Sequence, residues 1–499
     1  MRSFRFFCGS TAKCNWARSA HASDIFLYHP PIASTFFLKR VAMPAATKNN
    51  ARTPSTAKAD DPRTMRAWAF YDWANSSYAL VINTALFPLY FQSVMNDAPQ
   101  VLNLFGYEIS ANAAYSYSLS LSFLILVLLS PVLSSIAGSR GNKLSFLKFF
   151  CTLGALSCMG LFFFKSADQV LWALLFNITA SIGFYGSLVF YNAYLPEIAS
   201  PAQQDMLSAR GFSLGYVGSL LILIISLVLI QVVADESNRG FYTRLCFFLT
   251  GCWWLGFAQY SFARLPKNRA ISRREQRALA RQSYFDLFTD SFEELQHTVR
   301  DLVKSKQIKW FLTSFFFYSV GMQTIFLIAT FIGTELNLSQ TKMIITIMLL
   351  QVVAIIGAML FSWLSKRIGN TWVLMSAVGI WIIVCLLIYT LSAQDPDGQN
   401  RFFGIAGLVG LVMGGLQSMS RSTYSKLLPT SHDSATFFSF YDILEKLAII
   451  VGTGVHGYLI NKTGTTHASS LALAAFFVVG LICLSRLKVH ERRALIKPH

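Results

Sequence analysis

Twelve long apolar segments, separated by short polar links, follow one another along most of this chain. A helix needs about 20 apolar residues to cross a bilayer, and each segment is long enough. The pattern therefore predicts an all-α membrane protein with twelve transmembrane helices, and an even number puts both termini on one side. The predicted segments are 66–92, 113–137, 144–164, 170–195, 210–234, 242–264, 308–333, 341–364, 371–393, 401–428, 437–460 and 466–486.

The first apolar segment carries polar residues on one face. Asp72, Asn75, Ser76 and Asn83 recur at helical spacings. A carboxylate inside a spanning helix costs about 2.5–3.5 kcal/mol on insertion scales, so it is retained where it faces a cavity or a partner. The spacing predicts a helix that lines a polar path.

Composition agrees with a membrane protein. Charged residues make up only 13% and hydrophobic residues 54%, whereas a soluble domain has about 25% charged residues. The net charge of +18 would suggest nucleic acid in a soluble protein. With a cytoplasmic N-terminus, however, 34 Lys and Arg residues fall on the cytoplasmic side and 6 on the other. This is the positive-inside pattern, so we expect cytoplasmic termini, a bacterial inner membrane and no nucleic-acid partner.

A weak internal repeat divides the chain. The Tyr and Pro of Tyr191–Pro196 recur in Tyr424–Pro429, and a Gly-Asn pair recurs after the second and eighth segments. Two repeated halves are typical of carriers whose solute path lies between them. The predicted organisation is a disordered N-terminal tail 1–65, a six-helix half 66–264, a cytoplasmic linker 265–307 with an amphipathic helix, a second six-helix half 308–486 and a cytoplasmic tail 487–499. For residues 1–42 we favour a translation start assigned too far upstream, and a transit peptide is the alternative.

Six motifs combine aromatic and polar residues within the predicted segments or at their ends. They are Trp68-A-F-Y-D-W-A-N-S-S-Tyr78, Phe190-Y-N-A-Y-L-P-E-I-Ala199, Arg210-G-F-S-L-G-Y-V-Gly218, Phe317-Y-S-V-G-M-Q-T-Ile325, Gly414-G-L-Q-S-M-S-R-S-T-Tyr424 and Phe437-F-S-F-Y-D-I-L-E-Lys446. These motifs resemble those of the "unknown major facilitator" family, the bacterial branch related to the autophagy-linked vacuolar amino-acid effluxers of fungi. The resemblance implies the major facilitator fold and solute transport by alternating access. It leaves the solute open: amino-acid efflux is one expectation, and a sugar, drug or other organic-solute permease is the alternative.

Two positions depart from the pattern of the relatives. Gly138 stands where the superfamily usually carries an acid after the second helix, and Val320 stands where the seventh helix often carries one. If that second acid couples protons in relatives, the resemblance does not extend proton coupling to this chain.

The ionisable residues inside or at the ends of the segments are candidates for a gate. The direction in which each helix crosses the membrane places these residues in the cytoplasmic third of the bundle. Opposite charges on different helices can form ion pairs there when the cytoplasmic side closes. We expect one ion-pair network from both halves. The alternatives are a simple i,i+4 pair between Asp442 and Lys446, and direct coordination of the solute. The gating or coupling candidates are Asp72, Arg421, Asp442, Glu445, Lys446 and Glu197.

Neutral polar residues deeper in the segments are candidates for the cavity wall. Such groups suit a polar solute that is uncharged or zwitterionic, although each could instead form a hydrogen bond between helices. The cavity-lining candidates are Tyr71, Asn75, Ser76, Asn83, Asn177, Ser181, Tyr185, Asn192, Ser319, Gln323, Gln417 and Tyr424.

Other classes of protein find less support. The chain has no HExxH zinc motif and no Walker phosphate-binding loop, and its cysteines and histidines lack metal-ligand spacing. We therefore expect a monomeric carrier rather than an enzyme, with no cofactor and no metal. Its expected partners are a small-molecule solute, membrane lipid and at most a coupling ion. A channel or receptor-like membrane protein is a weaker alternative, which the two-half repeat disfavours.

Overall fold

The computed structural model describes residues 59–96, 101–104, 107–267, 289, 292–293, 296–300, 302, 304–392, 395–429, 434–463 and 467–496. The N-terminal tail up to residue 58 lies outside the described residues. So does most of the 265–307 linker. The predictions for these segments, including the amphipathic helix, therefore stay predictions.

The first half of the bundle begins with a helix that changes pitch midway. Helix α1 passes into a π-helical segment, Tyr78–Leu86, and then into α2, so that the three form one spanning unit. The elements are α1 Pro62–Ser77, α2 Phe87–Asn96, α3 Ala111–Arg140, α4 Lys143–Gly160, α5 Val170–Ala193, the short α6 Leu195–Ile198, α7 Pro201–Val228 and α8 Arg239–Arg264.

The second half consists of six long helices and follows the linker. The elements are α9 Lys306–Glu335, α10 Gln340–Ile368, α11 Asn370–Tyr389, α12 Gly398–Leu427, α13 Ser434–Thr463 and α14 His467–Ile496. We refer to residues 62–264 as the N-half and to residues 306–496 as the C-half.

These elements confirm the predicted twelve spanning segments. Ten helical units of the described chain are long and apolar enough to cross a membrane. The other two long helices are α8 and α9, of 26 and 30 residues. Large apolar side chains such as Leu128, Val232 and Ile482 are more than half exposed, as expected of surfaces that face lipid.

The start of α1 is specified locally. Asp61 accepts hydrogen bonds from the backbone N–H and the hydroxyl of Thr64, and Pro62 occupies the first turn. The bond from the Thr64 hydroxyl, followed by the one from its N–H, holds the pKa of Asp61 below its ordinary value. The α-helical spacing assumed for the whole first segment is wrong beyond Ser77, because the π-helical turn after it is wider.

One element contradicts the all-α prediction in detail. Residues Val101–Leu104 form strand β1, and Tyr107–Ser110 form strand β2 of an antiparallel hairpin. The hairpin lies in the link between α2 and α3, which carries no long apolar run. Its four-residue strands are at the lower limit of the length over which alternation of apolar and polar residues indicates a strand.

Equivalent contacts recur in the two halves. The Tyr78 hydroxyl lies 2.8 Å from the Ser181 hydroxyl, and Tyr318 and Ser420 make the same contact at the same distance. Each pair joins the first and fourth spanning helices of its half. The repeat suggested by the sequence motifs therefore has a counterpart in packing.

The polar links on one side of the bundle lie together, and we call this side the basic face. It contains the start of α1 and the links α3–α4, α6–α7, α10–α11 and α12–α13. The Asp60 N–H, for example, donates to the Ile198 carbonyl, and the Asp60 carboxylate accepts from the Ser200 N–H. In the part of the chain that the structure describes, the ends of these links include Arg140, Lys143, Lys366, Arg367 and Lys426, which belong to the predicted excess of Lys and Arg.

Candidate functional site

A buried ion pair joins the two halves near the basic face. Arg421 on α12 lies 3.2 Å from the Asp72 carboxylate on α1, and both side chains are less than a tenth exposed. Tyr191 on α5 donates to the same carboxylate oxygen at 2.8 Å. Asp72 lies about 15 Å along α1 and Arg421 about 9 Å from the end of α12, so the pair is well inside the bundle.

The remaining donors of Arg421 are also satisfied across the halves. Its Nε donates to the Ser208 hydroxyl and its Nη2 to the Ser208 carbonyl, both at 2.9 Å on α7. Its Nη1 also donates to Asn192 at 3.3 Å. One C-half side chain therefore binds three N-half helices.

Aromatic rings enclose the guanidinium. Its centre lies 4.1 Å from the Phe212 ring, 4.8 Å from Trp68 and 5.4 Å from Tyr191. Rings at these distances attract a cation through their quadrupoles. Trp68 is fixed in turn, because its indole N–H donates to the Tyr191 carbonyl at 2.8 Å and its ring stacks on Tyr191.

Close packing of α7 against α1 brings Ser208 to this site. A Cβ atom at Gly211 would lie 2.6 Å from the Asp72 carboxylate, and one at Gly218 would lie 2.5 Å from the Trp73 carbonyl. Only a residue without a side chain fits such approaches. The Gly211, Gly215 and Gly218 stripe therefore places α7 against the face of α1 that carries Asp72.

A second cross-half cluster lies closer to the basic face and escaped the sequence analysis. Asp205 on α7 accepts from the Lys426 ammonium at 2.7 Å, from the Ser365 hydroxyl at 2.8 Å and from the Asn370 amide at 2.8 Å. We call these four residues the Asp205 cluster. The sequence feature that could have pointed to this cluster is the repeated Gly-Asn motif, whose second copy ends at Asn370.

A third cross-half contact involves Glu197, one of the predicted gate residues. Its carboxylate forms a salt bridge with Lys143 of α4 and accepts a hydrogen bond from the Ser434 hydroxyl on α13 at 2.6 Å. Lys143 also donates to Ser434 at 2.7 Å. The N-terminus of α13 is therefore held by two charged N-half residues.

The other predicted charges form a separate cluster deeper in the bundle. Lys446 lies 2.6 Å from Asp442 and 3.5 Å from Glu445 on α13, and its ammonium is 4.1 Å from the centre of the Tyr185 ring on α5. Gln323 on α9 donates to Glu445 at 2.8 Å. We call these five residues the Lys446 cluster, which lies up to about 18 Å along α13.

The expected single network is therefore wrong in its connectivity. Arg421 pairs with Asp72, and Lys446 pairs with Asp442, in two separate groups. The i,i+4 spacing of Asp442 and Lys446 made a local pair geometrically favourable, as the alternative interpretation held. Position along the chain predicts the depth of each charge along its helix, but not the rotation of the helix that points each side chain toward a partner.

Several cavity-lining candidates instead form contacts within one half. Asn177 donates to Ser118, Ser181 contacts Tyr78, and Tyr424 donates to the Phe437 carbonyl. The fully buried Tyr71 ring packs against Tyr191 and Phe262. These placements match the alternative interpretation, that of hydrogen bonding and packing between helices.

The remaining candidates differ in burial and in their hydrogen-bond partners. Gln417 accepts from the Tyr216 hydroxyl of the N-half at 2.9 Å. Ser76 and Asn83 are partly exposed, and Asn75 is buried beside Ser76. Ser319 is fully buried, and among the described residues its hydroxyl has no hydrogen-bond partner. The cavity role of these residues stays a prediction.

A hydrolase-like spacing lies in α7. Gly211-Phe-Ser-Leu-Gly215 matches GxSxG, whose nucleophilic serine requires a sharp turn between a strand and a helix. Ser213 lies instead within the continuous helix Pro201–Val228. The two glycines serve close helix packing there, so the match carries no catalytic meaning.

Comparison with solved structures shows the fold. The proton:xylose symporter XylE superposes with a TM-score of 0.63 at 15% identity, over 84% of this chain and 94% of that one. A bacterial homologue of the iron transporter ferroportin, in an outward-facing state, gives 0.59 at 13% identity over 85% and 98%. Both resemblances show the major facilitator fold.

Comparison with sequences shows the family. The family model described as "Vacuole effluxer Atg22 like" matches residues 60–495. The uncharacterised MFS-type transporter YxiO of Bacillus subtilis is 31% identical, over 84% of this chain and 93% of that protein. Autophagy-related protein 22 of Kluyveromyces lactis is 26% identical, over 88% and 95%. The chain therefore belongs to the Atg22-like family and is a multi-pass membrane transporter of the major facilitator superfamily.

Proposed function

We propose that this transporter moves a small zwitterionic solute of the amino-acid type by alternating access, with the basic face in the cytoplasm. The solute passes between the halves, and the Asp72–Arg421 pair, the Asp205 cluster and the Lys143–Glu197–Ser434 contact form the cytoplasmic gate. The arrangement described above is then the state closed to the cytoplasm.

The hydrogen bonds that Arg421 forms to the N-half are the main observation that supports the proposed gate. A purely structural ion pair needs no more than neighbouring helices, whereas this side chain links α12 to α1, α5 and α7 at once. Opening the basic face must separate all these contacts together. Their rupture exposes both charges to water, which repays part of the electrostatic cost.

The Lys446 cluster supports the choice of solute. It presents one ammonium and two carboxylates, and the Glu445 side chain is 25% exposed. A solute that carries both an ammonium and a carboxylate can exchange partners with such a set without leaving a buried charge unpaired. The family model is described as "Vacuole effluxer Atg22 like", and efflux from a vacuole is movement toward the cytoplasm, so this name supports transport toward the basic face. A sugar or other neutral permease is the alternative and would not require these charges.

We expect Lys446→Gln to reduce amino-acid transport more than tenfold, whereas Lys462→Gln on the same helix should leave it unchanged. Lys462 is an exposed lysine that also lies near a ring, that of Tyr458. The measurement is counterflow of a labelled amino-acid mixture and of labelled xylose into proteoliposomes. Loss of more than tenfold is expected, because Asp442 and Glu445 would be left without their cation.

Two outcomes would contradict this proposal. Equal amino-acid counterflow in the two lysine variants would show that the Lys446 cluster only packs α13. Wild-type counterflow of xylose but not of amino acids would favour the neutral-solute alternative.

The orientation has its own test. Single cysteines replace Gln203, at the basic-face start of α7, and Ser237, beyond its other end, in a background without reactive cysteine. Both positions are exposed. We expect an impermeant maleimide added to whole cells to label only the Ser237 variant, because the basic face lies inside. Labelling of Gln203→Cys from outside would invert the topology.

A further inference from the structure

An apolar groove opens on the lipid-facing side of the C-half, at its basic-face end. It has a volume of about 510 Å³ and is lined by Ile368, Trp372, Met375, Ser376 and Leu481. Ile368 and Trp372 are each more than 40% exposed. Because Trp372 is the third residue of α11, the groove lies at the depth where a membrane meets water and tryptophan is enriched.

Two unneutralised cations stand at the mouth of this groove. Lys366 and Arg367 occupy the last turn of α10, directly before Ile368, and both are exposed. Among the described residues neither has an acidic partner, and the Arg367 guanidinium stacks 4.1 Å from the Trp363 ring. By contrast, Lys488 on α14 is already paired, with Glu491 at 2.9 Å.

We propose that this groove binds an anionic phospholipid, with an acyl chain along Trp372 and Leu481 and the headgroup phosphate between Lys366 and Arg367. An apolar groove beneath two cations that have no acidic partner in the described part of the chain matches a molecule that is apolar at one end and negative at the other. A zwitterionic lipid would fill the groove equally well, but its headgroup carries no net charge, so the two cations would add little to its affinity. Each basic residue at a membrane surface is worth about a fivefold preference for anionic lipid.

The site adjoins the proposed cytoplasmic gate. Ser365 and Asn370, which both bind Asp205, flank the segment Lys366–Gly369 that carries the two cations and Ile368. A lipid bound there restrains the α10–α11 link in the position that completes the Asp205 cluster. Anionic lipid should therefore favour the closed arrangement.

The binding test uses tryptophan quenching on the full-length protein in liposomes. The signal of Trp372 is the difference between wild type and Trp372→Phe, and the quenchers are brominated phosphatidylglycerol and brominated phosphatidylcholine. We expect phosphatidylglycerol to be preferred by tenfold or more, and Lys366→Gln/Arg367→Gln to reduce the preference to about twofold. Arg264→Gln is the matched control, since Arg264 is also an exposed last-turn arginine stacked on a ring, that of Tyr260, but lies on α8.

Equal quenching of Trp372 by the two lipids in the wild type would overturn the proposal. So would a preference that survives in the Lys366→Gln/Arg367→Gln variant, because the headgroup would then be bound elsewhere. Neither readout requires a solute, so the result is independent of the transport proposal.

The effect on the gate is tested by the distance between spin labels at Gln203 and Val489, on opposite halves at the basic face. A distance that is the same in pure phosphatidylcholine and in phosphatidylglycerol would overturn the link to the gate.

Discussion

Replacing Arg421 with glutamine is expected to open the basic face and to reduce transport by a hundredfold or more. The variant leaves the Asp72 carboxylate buried with Tyr191 as its remaining described hydrogen-bond donor. Loss of one partner of a buried pair costs about 3–5 kcal/mol, and every 1.4 kcal/mol changes an equilibrium tenfold. That cost falls on the closed arrangement alone, because water reaches the carboxylate once the halves separate.

Spin labels at Gln203 and Val489 measure this shift, and we expect a longer distance in Arg421→Gln than in the wild type. The double variant Asp72→Asn/Arg421→Gln should move the distance less, since it buries no unpaired charge. Arg401→Gln is the control: Arg401 pairs with Asp395 in an exposed position on the opposite face, where ion pairs contribute little. An unchanged distance together with normal transport in Arg421→Gln would show that the pair only packs the helices.

The fold was predictable because each spanning segment reports its own length and hydrophobicity. The ends of the segments were predicted less accurately. Helix α14, for example, continues past its apolar run through Ser-Arg-Leu-Lys and ends at Ile496, whereas the predicted segment ended at residue 486. The β1–β2 hairpin and the π-helical turn after Ser77 were missed for a common reason. Both depend on local backbone hydrogen bonding, which leaves no strong hydrophobic period.

The candidate site was predictable in part. A charge inside an apolar segment is costly, so Asp72, Arg421 and Lys446 stand out in the sequence without any knowledge of their partners. Asp205 and Lys143 do not stand out, because they lie near helix ends where charges are ordinary. Which acid meets which base depends on helix rotation and on which helices adjoin, and both are set by tertiary packing.

The glycines of α7 connect this packing to the gate, and Gly211→Ala is expected to weaken both. The added methyl would lie 2.6 Å from the Asp72 carboxylate and 2.9 Å from Arg421 Nη2, so the pair or the helix must move. Overpacking of this kind costs about 1–3 kcal/mol, and here it falls on the contact that closes the basic face. We expect transport to fall at least tenfold and the spin-label distance to lengthen.

Two further glycines separate the contributions of charge and packing. Gly218→Ala would meet the Trp73 carbonyl at 2.5 Å, so it disturbs the same α1–α7 contact without touching the ion pair. Gly407→Ala has open space and should be neutral or slightly stabilising, because alanine favours a helix more than glycine does. If Gly211→Ala and Gly218→Ala lower the melting temperature equally but only Gly211→Ala opens the basic face, the ion pair controls the gate. If both open it equally, disturbing the α1–α7 packing within the N-half is sufficient to open the basic face, and the result gives the ion pair no separate role.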